Sequence, residues 1–450
     1  MKYILLTCTL LFSLCLHSQD DDMKYRRSSL HLMMMEDAKL PEKEIIINTF
    51  NTYPFPEKYN NHKIDIIRIP NFLKDDEIAA KAEQKAQKKA DKENNVKLTE
   101  EEKKRRKLIK DLKGADKTIE KYFSENRVAN KLVAKWFNMD ENGVMNFDIV
   151  AERGQYDATA MDVKKASTMS KSVATQLQDA GIELIDKSFV IINKFKFISN
   201  EIAAKIAYEI AQATIKEMKA ATKIEQTLKQ AAEKKALQLY EKARKGYTVG
   251  TQAILYKLDW SETVSTTFFN EYYMPESYSK TLNDSLRQIE IDKFYNTDLF
   301  KLELVGMEKQ TIRVLNLTSE DLNKQQIINE ATRRTMNKVY AKLQKEYDVF
   351  KPKMPLLTAS KKDCTAKIGM KEGLEGGEKF DVLEKAVDKN GLTVYNKKGI
   401  IKVDKKRLWD NQFYAAKPTE QKSKKEPITA TGFKGCKNSF YKGMLIKQIK

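Results

Sequence analysis

The chain is 450 residues long and carries a formal net charge of +19, from 82 Lys and Arg against 63 Asp and Glu. An apolar content of 41% is ordinary for a globular protein and excludes a collagen-like or low-complexity chain. The length exceeds what one core fills, so two or three domains are expected, and Lys interleaved with Glu and Asp marks a solvated surface more than a binding stripe.

Residues 1–19 are read as a secretory signal peptide. Lys2 precedes an apolar run from Tyr3 to Leu16, and His17, Ser18 and Gln19 form a short polar exit. The run falls short of the roughly 20 residues that span a bilayer. No later run is long enough, so no transmembrane span is expected. Cys8 and Cys15 lie inside this segment, and Leu14 before Cys15 is not the small residue that lipid attachment favours.

Residues 20–355 read as an α+β domain. The run Met33-Met34-Met35 suits an edge strand or a helix start; adjacent thioethers point in different directions, so core packing is favoured over copper binding. Glu44 to Phe50 is predicted as a strand, followed by an extended turn at Tyr53-Pro54-Phe55-Pro56. Ile64, Ile66, Ile67 and Ile69 predict a second strand, stopped by Pro70.

Residues 73–121 are rich in Lys, Glu, Gln and Ala, and predict an insert of exposed charged helices with a flexible joint near Asn94 and Asn95. The cluster from Lys103 to Lys107 follows Glu100 to Glu102, which compensates it locally. Val128 to Phe137 has helical spacing around Trp136. Asn138 to Ile149 has the outline of a calcium loop, but Ile149 stands where a bidentate Glu belongs, so an Asn-Gly turn is expected.

A helix over 161–181 and a strand from Phe189 to Phe197 follow. Ser199 or Asn200 is placed to cap the next helix. No Pro or Gly interrupts Ile202 to Arg244, where Ile206, Ile210, Ile215, Met218, Ile224, Leu228, Ala232 and Leu239 recur roughly every three to four positions. One unbroken helix would reach about 65 Å. A hairpin, a projecting helix and a coiled coil with a partner all fit, and packing on its own second half is preferred. Ile254, Tyr256, Leu258 and Trp260 then alternate as a half-buried strand. Phe268, Phe269, Tyr272 and Tyr273 are expected as an aromatic hairpin in the core. Phe300 to Leu304 and Ile312 to Val314 predict strands, and Ile328 to Tyr347 an amphipathic helix.

Beyond Pro352 and Pro355 nine of the sixteen glycines fall between Gly369 and Gly443, among six short strands from Thr365 to Ile449. The pattern predicts a small β-barrel over 356–450, with a hairpin at Asn390-Gly391. Cys364 and Cys436 would staple its first and penultimate strands as one disulfide, or stand as two buried thiols. No CxxC or HxxxH accompanies them, so a metal site is not expected.

Of the histidines only His31 and His62 lie outside the leader, and neither accompanies a nucleophile pattern. No GxSxG, HExxH, SxxK or phosphate loop occurs; Gly373-Leu-Glu-Gly376-Gly377 lacks the Gly-Lys-Ser ending and is read as a turn. No catalytic, cofactor-binding or metal-ligating residue is singled out.

Lys135-Trp136-Phe137, Gly181 to Phe197, Lys367 to Leu374, Gly399 to Val403, Trp409-Asp410-Asn411 and Tyr441 to Ile449 resemble exported Gram-negative bacterial proteins of unknown function. The C-terminal glycine spacing is similar to SH3-like modules of envelope-assembly factors. The resemblance implies a periplasmic or outer-membrane-associated protein with an SH3-like barrel; the order strand, long helix, several strands, helix before that barrel is itself an α+β sandwich pattern. It brings no activity. The expected role is non-enzymatic, through protein–protein or scaffold contacts with another envelope protein. The competing readings are a secreted glycan- or peptide-acting hydrolase using paired carboxylates, and a binder of an anionic envelope polymer. A reading of Gly443 to Lys450 as a secretion signal is weaker.

Overall fold

The computed structural model describes residues 26, 28–37, 40–70, 99–112, 114–155, 184–314, 323–387, 393–412 and 428–449. The leader, most of the charged insert with its joint at Asn94 and Asn95, and the 161–181 helix lie outside them. The fold is mixed α+β: one open sheet between helical layers, then a closed antiparallel barrel.

β1 (Ser29–Met35) lies inside the sheet instead of at its edge. It pairs in parallel with the short β2 (Asn60–Asn61) and β3 (Arg68–Ile69) on one side, and with β4 (Ser188–Ser199) on the other. β4 runs antiparallel to β5 (Tyr247–Leu258), and β5 to β6 (Leu302–Val314). Strands covered on both faces read as continuous apolar runs. The methionine run is that case, since Met33 and Met35 enter one core and Met34 the other.

The first core holds α2 (Glu100–Leu112), α3 (Ala115–Glu125), α4 (Val128–Trp136), α5 (Asp148–Gln155), α8 (Glu262–Glu271) and α9 (Asp284–Asn296). Here Phe137, Trp260, Phe268 and Phe300 pack ring against ring, with Phe268 4.5 Å from Phe137. The second core lies under α1 (Lys43–Asn51) and α10 (Lys324–Glu346), where Phe50, Phe195, Leu255, Ile328 and Val339 meet.

Several expectations are corrected. Residues 44–50 form helix α1, whose Ile46, Thr49 and Phe50 bury against α10; contact with that helix overrides the strand preference of three isoleucines. Only Arg68 and Ile69 of the second expected strand pair. The aromatic stretch at 268 is helical, started by Ser261, whose hydroxyl accepts from the Val264 amide. The C-terminal end of the charged insert is core: Leu112, Ala115 and Ile119 are buried. The strands expected at 300–304 and 312–314 are one, β6, which begins at Leu302 after Phe300 and Lys301.

The 202–244 segment is a helical hairpin, α6 (Glu201–Lys216) and α7 (Lys223–Ala243). The capping box of Thr222 and Glu225 starts the second helix. Asn200 does not cap the first; its amide donates to the Val314 carbonyl at 3.1 Å and its oxygen accepts from Thr248 at 2.9 Å, tying the hairpin's base to β5 and β6.

The barrel closes in the order β10-β11-β8-β7-β12-β9. Its strands are β7 (Lys353–Ala359), β8 (Cys364–Ala366), β9 (Lys379–Val387), β10 (Thr393–Val403), β11 (Thr431–Lys434) and β12 (Leu445–Gln448). β7 precedes the first strand expected from the sequence. Cys364 therefore begins the second strand, and Cys436 follows the penultimate one. Leu356, Phe380, Val382, Ile401, Phe433 and Ile446 fill the interior. Lys447 Nζ reaches Asp348 at 2.7 Å and Gly373 sits against Ala341 of α10, so the barrel leans on the second core's helix.

Candidate interaction surface

Both histidines are buried and fully engaged. Arg153 Nη1 donates to His62 Nδ1 at 2.8 Å, so Nε2 carries the proton and donates to the Leu132 carbonyl at 2.9 Å. The same guanidinium donates to Ser29 Oγ and lies 4.5 Å over the Trp136 ring, while Trp136 Nε1 donates to Ser188 Oγ. Burial, and then Arg153, hold His62 well below its ordinary pKa. Burial lowers Arg153 to about 10 and His31 to about 4. With both His62 nitrogens spent, the cluster has no open base; it ties β1, β2, α4, α5 and β4 together.

Asp116 and Glu120 are two carboxylates one turn apart on α3, hence on one helix face. Desolvation, and then Asp116, raise the Glu120 pKa. Glycoside cleavage needs carboxyls flanking the scissile bond, and two neighbours on one helix do not flank a substrate.

The motifs that resembled ligand loops are self-satisfied. Asp140 Oδ1 accepts from the amides of Asn142 and Val144, at 2.9 and 2.8 Å, and Gly143 takes φ +75° to close the turn. In the 373–378 turn the Glu378 carboxylate accepts from the amides of Glu375 and Gly376, at 2.9 and 3.0 Å, so a side chain already holds the place a phosphate would take. Among the described residues no three His, Cys, Asp or Glu gather as a metal site, and no helix is long and apolar enough to cross a membrane. Cys364 and Cys436 have Cα atoms 6.1 Å apart, within the span of a disulfide.

Among the described residues a groove and a helical hairpin are open to solvent. On the first-core face, beyond the end of α2, a groove of about 390 Å³ has Met35, Leu112 and Ile254 in its lining and Lys194, Lys196 and Lys309 around it. The larger surface is the helical hairpin. Ala204 and Ile215 are the only buried residues of α6, and α7 has none. Eight large apolar side chains face solvent: Ile202, Ile206, Ile210, Met218, Ile224, Leu228, Leu237 and Leu239. Sequence periodicity identified most of them, but it reports a common face and not what covers that face.

Fold and surface together define an α+β protein with an appended antiparallel barrel and a displayed helical arm. No protein-family model matches the chain, and no curated protein matches it.

Proposed function

We propose that this chain is an exported, non-enzymatic scaffold of the bacterial cell envelope that works through protein–protein contacts. The observation that carries the reading is the hairpin at 201–243, a 43-residue arm with eight exposed large apolar residues, inserted between two paired strands of the sheet. Exposed apolar area of this kind marks interaction sites. The leader-like residues 1–19 support export, and the barrel's closure and Gly-bearing turns support the likeness to SH3-like modules of envelope-assembly factors. Pairing of Cys364 with Cys436 belongs to the same reading: alkylation of the exported chain without reductant should modify neither sulfur.

The test is fractionation of cells producing the full chain, with a photo-crosslinking residue at Leu228 or Leu239. The reading expects capture of a defined protein in the envelope fraction. Full-length chain in the cytosol with no adduct would overturn it.

The lysine-edged groove favours a second reading, a binder of anionic polymer. There, affinity for an acidic glycan should fall steeply with salt, and Lys196→Glu and Lys309→Glu should each weaken it.

A further inference from the structure

The outer stripe of α6 has a self-complementary pattern. Ala204 and Ile215 are buried and Tyr208 stacks on Tyr240 of α7 at 5.0 Å, which fixes the face turned toward the second helix. Two residues turn a helix by about 200°, so Ile206, midway between Ala204 and Tyr208, points the opposite way. Ile202, Ile206 and Ile210 are 76, 53 and 64% exposed and form one row of period four.

We propose that two copies of the chain associate through α6, antiparallel, about a twofold axis passing Ile206. This inference rests on reading the hairpin as an interaction surface and names its occupant. In that register Ile206 meets its own symmetry mate, and Ile202 meets Ile210 of the second copy. Lys205 and Glu209 lie on the same flank of the row, and antiparallel pairing puts Lys205 of each copy beside Glu209 of the other. A parallel pair would instead set Lys205 and Glu209 against the Ala203 and Ala207 flank of the other copy, leaving both charges without a partner there. On the other flank Ala203 and Ala207 allow the helices to approach closely.

The charge pattern favours a second copy over a lipid surface. A helix lying on an anionic bilayer carries an excess of cations, whereas α6 has Lys205 and Lys216 balanced by Glu201 and Glu209. With the axis at Ile206 the two copies of α6 overlap over Glu201–Ala211, about 16 Å of helix. Contact over that length buries less than about 1,200 Å² in total, the range of weak, transient interfaces. A micromolar dimer is the expected strength.

Sedimentation velocity of the mature full-length chain, over a micromolar to sub-millimolar series, should show a monomer–dimer equilibrium. Ile206→Glu should give a monomer with an unchanged circular dichroism spectrum. Lys205→Glu should weaken the dimer, and adding Glu209→Lys to it should restore it. Ile206→Cys should form a reducible dimer under mild oxidation, while Thr214→Cys, eight residues from the axis, should not. A wild-type chain that stays monomeric throughout overturns the proposal, as does a dimer indifferent to Ile206→Glu. A monomer whose hairpin still crosslinks to another envelope protein overturns self-association alone. A monomer whose Ile206 is needed to bind phosphatidylglycerol vesicles does the same.

Discussion

The strands β4 and β5 and the helical hairpin between them are neighbours in sequence and opposites in energetics. Along Ser188–Phe195 every side chain but one is buried, and β5 alternates buried and half-buried positions from Tyr247 to Gln252 before a continuously buried run from Ala253 to Tyr256. The hairpin is nearly as apolar by composition yet buries only two side chains. The strands contribute to folding, since each buried aliphatic side chain stabilises by about 1.5–3 kcal/mol relative to exposure. The hairpin's side chains contribute little, which is what the proposed docking surface requires.

Three experiments sharpen or break that contrast. The largest effect is expected from Ile192→Ala, a fully buried side chain in the first core; it should cost about 2–5 kcal/mol in denaturant unfolding. A loss below 1 kcal/mol would mean that β4 is not the packed element described.

Next comes pH. His31 and His62 are held neutral in the fold, with His31 lowered to about 4. The unfolded chain, with histidines near 6.5, binds protons that the folded chain refuses. Stability is therefore full above about pH 6.5 and falls toward pH 4, by up to about 1.4 kcal/mol per pH unit for each histidine. Replacing His31 with Gln should flatten part of that slope. Stability independent of pH across this window would contradict the buried, neutral assignment.

The smallest effect belongs to Ile206→Ala. At an exposed helical site it should change stability by less than about 0.5 kcal/mol. A cost comparable to that of Ile192→Ala would place the stripe inside a core.

Much of this arrangement was legible in the sequence. The strand at 189–197, the helix at 328–347 and the glycine-punctuated barrel all followed from pattern; the run at 254–258 was legible as a strand but not as one covered on both faces, since Ile254 and Tyr256 enter the first core and Leu255 the second. Helices α1 and α8 were misread because Ile45-Ile46-Ile47 and Thr266-Thr267-Phe268 have strand preferences, and helical packing in the cores prevails. Ser261 before Glu262 was a capping signal that could have identified α8. Thr222 and Glu225 were a similar signal for the break inside the 202–244 segment, which lacks Gly and Pro. The candidate surface was half legible. Ile206, Ile210 and Ile215 counted as one periodic set, but Ile215 is buried while Ile206 and Ile210 point away from α7.

The base of the hairpin offers the most direct test of its independence from the fold. Ser199 pairs with Tyr247, and the Asn200 amide donates to the Gly246 carbonyl at 3.0 Å. Deleting residues 201–245 would join β4 to β5 through Asn200-Gly246, the favoured two-residue hairpin turn. Thermal and denaturant unfolding of this shortened chain should give a cooperative transition within about 1 kcal/mol of the parent. Failure to fold, or a loss of several kcal/mol, would show that the arm stabilises the sheet and is not held out for a partner.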